Sequence, residues 1–142
     1  MSQSLYTVSL YDTLGPETTE YIVNHASLTS VCTSLSHIPV LLKLAPRCPS
    51  LKIIISLDPL SEGELPGQSK ADLLKSMAAD LDVQIHYIGD VERLGEAAPR
   101  PYHAPRAEDI LTINYTSGTT GPPKGVVSVS YTHLTLPTKR IV

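Results

Sequence analysis

Three consecutive isoleucines, Ile53-Ile54-Ile55, flanked by Lys52 and Ser56, limit what this chain can fold into more than any other feature. A strand that is β-branched at every position has no polar face to leave in water. Both faces must be covered, as in a central strand of a parallel sheet with helices on either side. The rest of the sequence supplies such covers. Thr19, Ile22, Val23 and Ala26 recur at helical spacing behind Gly15 and Pro16, with Glu17 and Glu20 in the first turn. Ile38, Leu41, Leu42 and Ala45 repeat the spacing until Pro46 and Pro49 end it. Leu74, Met77, Ala78 and Leu81 form a third stripe, and Val91, Leu94 and Ala98 support a short helix after Asp90. Residues 5–10, 28–33 and 83–88 read as further strands. Residues 57–69 read as an exposed loop, and the proline-rich residues 97–106 as irregular. Strand and helix alternate, which predicts βαβ units: an α/β fold with a parallel sheet and right-handed crossovers.

The last strand leads into a different kind of sequence. Ile110, Leu111, Ile113 and Tyr115 run up to Thr116-Ser117-Gly118-Thr119-Thr120-Gly121-Pro122-Pro123-Lys124-Gly125, and Val126-Val127 leave it. This predicts a strand, a tight polar loop and the start of a second strand. The chemistry of the loop is that of holding an anion. Gly118 and Gly121 let the backbone turn and its amides come close to a ligand, and consecutive N–H groups in such a turn form a nest for phosphate oxygens. Thr116, Ser117, Thr119 and Thr120 add hydroxyl donors, and Lys124 adds a point charge. By composition alone the same residues describe a linker or a plain hairpin turn. They are not a Walker A loop, because Gly125 follows Lys124 where a magnesium-binding hydroxyl belongs.

The order of residues from Thr116 through Gly125 resembles the signature of the AMP-forming adenylate enzymes, the superfamily of acyl-CoA synthetases, luciferases and peptide-synthetase adenylation domains. A second stretch narrows the likeness. Val8-Ser9-Leu10-Tyr11-Asp12-Thr13-Leu14-Gly15-Pro16-Glu17, continued by Glu20-Tyr21-Ile22-Val23-Asn24-His25-Ala26, resembles the block found in long- and medium-chain fatty acyl-CoA synthetases, with a fungal cast. Taken alone, Asp12 and Thr13 shape a turn, and Gly15 and Pro16 start a helix.

The resemblance implies an incomplete part of the large N-terminal domain of an adenylate-forming enzyme. It implies that Thr116, Ser117, Gly118, Thr119, Thr120, Gly121 and Lys124 grip the β- and γ-phosphates of ATP and then the departing pyrophosphate. The whole enzyme would join a fatty-acid carboxylate to the α-phosphate of ATP and pass the acyl group to coenzyme A, with Mg²⁺ on the phosphates. Lys124 is then a phosphate contact. The family's catalytic lysine belongs to a C-terminal domain outside this sequence, so no catalytic residue is assigned here. An aryl- or amino-acid-activating relative and a non-catalytic nucleotide-binding remnant are the rival readings. The 142 residues by themselves are expected to be inactive.

Other function classes find little support. A net charge of −3 offers no basic footprint for nucleic acid. Cys32 and Cys48 make neither a redox pair by spacing nor a metal site, and read as idle or buried thiols of a reducing, intracellular compartment. His25, His37, His86 and His103 show no ligand spacing, and Asp58, Glu62 and Glu64 read as a solvated acidic loop. No Gly-x-Ser-x-Gly elbow is present. No apolar run here approaches the ~20 residues of a membrane span, and peripheral membrane association of the full-length enzyme stays open. The N-terminus lacks the basic and apolar regions of a signal peptide.

The C-terminus is a separate matter. Residues 129–138, Val-Ser-Tyr-Thr-His-Leu-Thr-Leu-Pro-Thr, alternate in part like another strand, but they also resemble the conceptual translation of a sequencing-library adapter. The expectation is a partial AMP-binding domain over residues 1–127, ending at the phosphate loop, and a non-native tail over 128–142. His133 then has no catalytic role despite its nearness to the loop.

Overall fold

The computed structural model describes residue 3 and residues 5–67, 69–116 and 121–129. Its strands and α-helices run β1 (Thr7–Ser9), α1 (Gly15–His25), β2 (Ser30–Thr33), α2 (Ile38–Leu44), β3 (Ile53–Ser56), α3 (Lys70–Ala79), β4 (Gln84–Tyr87), α4 (Ile88–Ala97), β5 (Ile110–Thr116) and β6 (Lys124–Val129). The α/β alternation read from the sequence is present. The chain divides into two units, residues 15–100 and residues 1–14 with 101–142. The strands divide with it into two three-stranded sheets, where the sequence pattern suggested one.

In the unit of residues 15–100 the sheet is wholly parallel, in the order β2-β3-β4. Its middle strand carries the isoleucine run, with Ile54 fully buried and paired to Val31 on one side and Ile85 on the other. Helix α2 buries Ile38, Leu41, Leu42 and Leu44, and α1 buries Ile22 and Val23. Each such side chain stabilises the fold by about 1.5–3 kcal/mol. With neither Phe nor Trp in the chain, this core is almost entirely aliphatic. Helix α1 starts as Gly15 and Pro16 suggest. Gly15 takes a φ of +71°, open to glycine, and its carbonyl accepts the Thr19 hydroxyl at 2.9 Å. Of the third stripe, Leu74 and Ala78 are buried but Met77 is 44% exposed. Helix α4 buries none of its residues, and Leu94 is 64% exposed. Periodicity names a helix and its apolar face without saying what covers it.

The acidic stretch after β3 is largely exposed, Glu62 included, as expected, but Asp58 and Glu64 are half-buried and bonded. Asp58 is half-buried, and its carboxylate accepts the Leu35 backbone N–H at 2.8 Å, ahead of α2. The Ser56 hydroxyl, fully buried, donates to the Asp58 carbonyl at 2.7 Å. Glu64 likewise accepts the Lys70 N–H at the start of α3, and Leu60 is buried. Helix starts leave backbone donors without partners, and nearby carboxylates satisfy them. Asp58 thus ties the stretch back to the chain ahead of α2, and Glu64 ties it forward to the start of α3.

Cys48 is buried and Cys32 exposed, and both are free thiols. Burial pushes the Cys48 thiol pKa up, Glu20 adds to the rise, and Arg47 opposes it. A thiol held neutral by the fold contributes stability that is present below its unfolded pKa and lost as pH rises through the folded one. Cys32 is expected to alkylate rapidly in the native chain and Cys48 only on unfolding, as read by mass spectrometry. Denaturation midpoints should also fall as pH rises past the ordinary thiol range, and Cys48→Ala should remove that part of the fall. Equal labelling of the two thiols would contradict this placement.

Candidate functional site

The second sheet has the order β1-β5-β6, with β5 parallel to β1 and antiparallel to β6. The change of direction follows from chain length. Only residues 117–123 join β5 to β6, and a parallel crossover needs a dozen residues or more. On its other side β5 is held by β1, where the Thr112 hydroxyl donates to the Thr7 carbonyl at 3.1 Å.

The register decides which side chains share a face. Ile113 pairs with Val127, Asn114 with Val126, Tyr115 with Gly125, and Thr116 with Lys124. Directly opposed residues of an antiparallel pair project to the same side, and successive residues alternate. Ile113, Tyr115, Gly125 and Val127 therefore share one face. Asn114, Thr116, Lys124 and Val126 share the other. Thr116 and Lys124 form the last rung before the loop, both exposed. A hydroxyl and an ammonium thus stand at the two feet of a seven-residue bend, on one side of the sheet.

Gly121 takes a φ of +99°, where an L side chain is strained, although an added Cβ would meet no atom within 4 Å. The requirement for glycine is thus conformational, as the sequence suggested. Pro122 and Pro123 then carry the chain into β6 and contribute no N–H, so any nest of amide donors must come from the residues before them. Of the seven residues singled out from the sequence, Thr116, Gly121 and Lys124 are brought together here. Ser117, Gly118, Thr119 and Thr120 lie outside the described residues.

Two neighbours, Tyr115 and Gly125, were given no place in the site by the sequence alone. Tyr115 is only 7% exposed, and a Cβ built on Gly125 would lie 3.3 Å from its Cζ and 3.2 Å from Ile113 Cγ2. The available signal was an aromatic residue one place before the loop and a glycine one place after the lysine, which a hairpin sets face to face.

Elsewhere among the described residues the candidates are weaker. A cavity of about 660 Å³ is lined by Glu17, Glu20, Tyr21, Asn24, His25 and Arg47. Its Arg47 is already paired with Glu20 at 2.9 Å, His25 is stacked on Tyr21, and a second carboxylate faces it, so it does not suit an anion. No group of three or more His, Cys, Asp or Glu able to hold a metal occurs among the described residues. His86 shares a hydrogen bond with Gln84.

A family model described as AMP-binding enzyme matches residues 1–136. The chain belongs to the AMP-binding enzyme family. Acyl-CoA ligase 891, peroxisomal, of Penicillium brevicompactum is 64% identical over 127 residues, which are 89% of this chain and 18% of that protein. Fatty acyl-CoA synthetase A of Dictyostelium discoideum is 35% identical over 127 residues, 89% of this chain and 17% of that one. This family member thus spans less than a fifth of the length of these relatives. Among solved structures, the A-PCP didomain of a carboxylic acid reductase from Segniliparus rugosus, in complex with AMP, matches 89% of this chain and 18% of its own, at a TM-score of 0.70 and 19% identity. The shared fold is that of part of an adenylation domain.

Replacing Gly121 with alanine forces a side chain into the positive-φ region, at a cost of about 1–2 kcal/mol. Amide exchange across the β5–β6 hydrogen bonds is expected to speed up about 5- to 30-fold, read by mass spectrometry. Unchanged exchange would mean that the bend does not need glycine at this position.

Proposed function

We propose that this chain is a segment of an ATP-dependent fatty-acid–CoA ligase, and that the bend between β5 and β6 holds the β- and γ-phosphates of ATP. One observation carries the reading: Thr116 and Lys124 are opposed at the foot of a bend whose Gly121 adopts a positive φ. The order of the intervening residues and the ligase names of the relatives at 64% and 35% identity support it.

In the overall reaction a fatty-acid carboxylate oxygen attacks the α-phosphorus of ATP. The bond to the bridging oxygen of the β-phosphate breaks, and pyrophosphate leaves with that electron pair. The coenzyme A thiol then attacks the acyl carbon, loses its proton, and expels AMP to give the thioester. Charge accumulates on the departing pyrophosphate, so donors fixed in advance around those oxygens lower the barrier. In this reading Thr116, Ser117, Gly118, Thr119, Thr120 and Gly121 supply hydroxyl and backbone donors. Lys124 neutralises charge without taking part in bond making. In this reading Mg²⁺ arrives with the nucleotide, as MgATP.

No helix among the described residues is long and apolar enough to cross a membrane. An acyl substrate that partitions into lipid favours a peripheral encounter of the full-length enzyme with a membrane. The peroxisomal name of the Penicillium relative supports an intracellular setting, in that organelle. We extend the proposal to the ends of the chain: residues 1–127 form part of the AMP-binding domain, and residues 128–142 are not native. Genomic DNA around this reading frame is expected to diverge from the given sequence after codon 127 or 128. The same codons running on uninterrupted would refute that part.

In the full-length ligase, Lys124→Ala is expected to lower ATP–pyrophosphate exchange about 10- to 150-fold. That range corresponds to the roughly 1.5–3 kcal/mol of a hydrogen bond to a charged group. The 142 residues alone are expected to release no pyrophosphate when given fatty acid and MgATP. Normal exchange by the Lys124 variant would remove the loop from the phosphate site.

A further inference from the structure

Strand β6 offers little to fix its own register. It stands at the edge of the β1-β5-β6 sheet, and Val126 and Val127, on opposite faces, are 51% and 53% exposed. Within this segment burial therefore does not choose between a correct pairing and one slipped by a residue, as it does where one face is covered. A one-residue slip would turn every side chain of β6 over and carry Lys124 to the face opposite Thr116.

A close fit in the ladder lies next to the loop. Tyr115 is buried, and the edge of its ring lies over Gly125, with Cζ 3.3 Å and Cε1 3.4 Å from where a Cβ would stand. Ile113 closes the same space from the next rung at 3.2 Å. A Cβ at that position would press on the ring and on Ile113 until they gave by a few tenths of an ångström, and slipping the strand either way would present the larger Lys124 or Val126 to the ring. An aromatic ring laid across a glycine of a neighbouring edge strand is a recognised way to pin a register.

We propose that Tyr115 is a positioning residue for the phosphate loop. Its ring, seated on Gly125, selects the register that sets the Lys124 ammonium opposite Thr116. Tyr115 touches no substrate and acts through β6. The inference rests on the reading of the loop as an ATP phosphate site.

The test is made in the full-length ligase with four variants. Tyr115→Ala removes the ring, and Gly125→Ala fills its seat. Tyr115→Phe keeps the ring, and Lys124→Ala reports whether the loop serves ATP at all. Tyr115→Ala and Gly125→Ala are expected to raise the KM for ATP about tenfold or more, since displacements of the order of 1 Å have effects of that size. The KM values for fatty acid and coenzyme A should stay as they were. Tyr115→Phe is expected to restore most of what Tyr115→Ala loses. A rise in all three KM values together, with a lowered Tm, would show a merely structural ring and overturn the proposal. So would an unchanged KM for ATP in both the alanine variants while Lys124→Ala is impaired, or a phenylalanine variant as defective as alanine. Should Tyr115→Ala fail to fold, Gly125→Ala decides alone, since it leaves every native side chain in place. If Lys124→Ala itself leaves ATP use unchanged, the phosphate reading falls and takes this inference with it.

Discussion

The chain between β5 and β6 is too short to do anything but turn back. Seven residues cannot carry a crossover, so the strands must run antiparallel, and their first rung must close the bend. That constraint brings β6 back beside β5, where Thr116 is paired with Lys124. Gly121 allows the turn, and Gly125 accepts the Tyr115 ring beside it. The proposed chemistry asks only for donors and one positive charge held still, and a hairpin anchored on its other side by β1 is a rigid support for them.

The unit of residues 15–100 is built on different terms. Its sheet is wholly parallel, and its middle strand is buried at Ile54 and Ser56 and half-buried at Ile53 and Ile55. Burial of aliphatic side chains holds its layers, while carboxylates and hydroxyls finish the ends of its elements. Asp58 is the clearest case, joining the turn after β3 to the Leu35 amide ahead of α2. Most buried polar groups in such a core have a partner, as Ser56 does in the Asp58 carbonyl, while Ser50 Oγ is buried without one.

Much of this organisation was legible in the residues. The isoleucine run, the helical stripes at Ile22-Val23 and Leu41-Leu42, and the strand–loop–strand at the C-terminal end all follow from period and turn chemistry. What escaped depends on partners far away in sequence. The Asp58 carboxylate could not be assigned to the Leu35 amide from composition, and an acidic loop looked solvated. Leu94 and Met77 have apolar spacing but remain exposed, because spacing names a face and not its cover. The division into two sheets was hidden for the same reason: strand order is a tertiary property. In the candidate site, Gly121 could be read from turn chemistry alone, whereas the fit of Tyr115 on Gly125 needed the register.

Hydrogen exchange on the full-length ligase, with and without MgATP, bears most directly on the central claim. Expected is slowed exchange in the peptide covering residues 113–127, reproduced by magnesium pyrophosphate and not by AMP alone. Exchange in that peptide left unchanged by MgATP, with protection appearing elsewhere in the enzyme, would contradict the assignment of this bend to the phosphates.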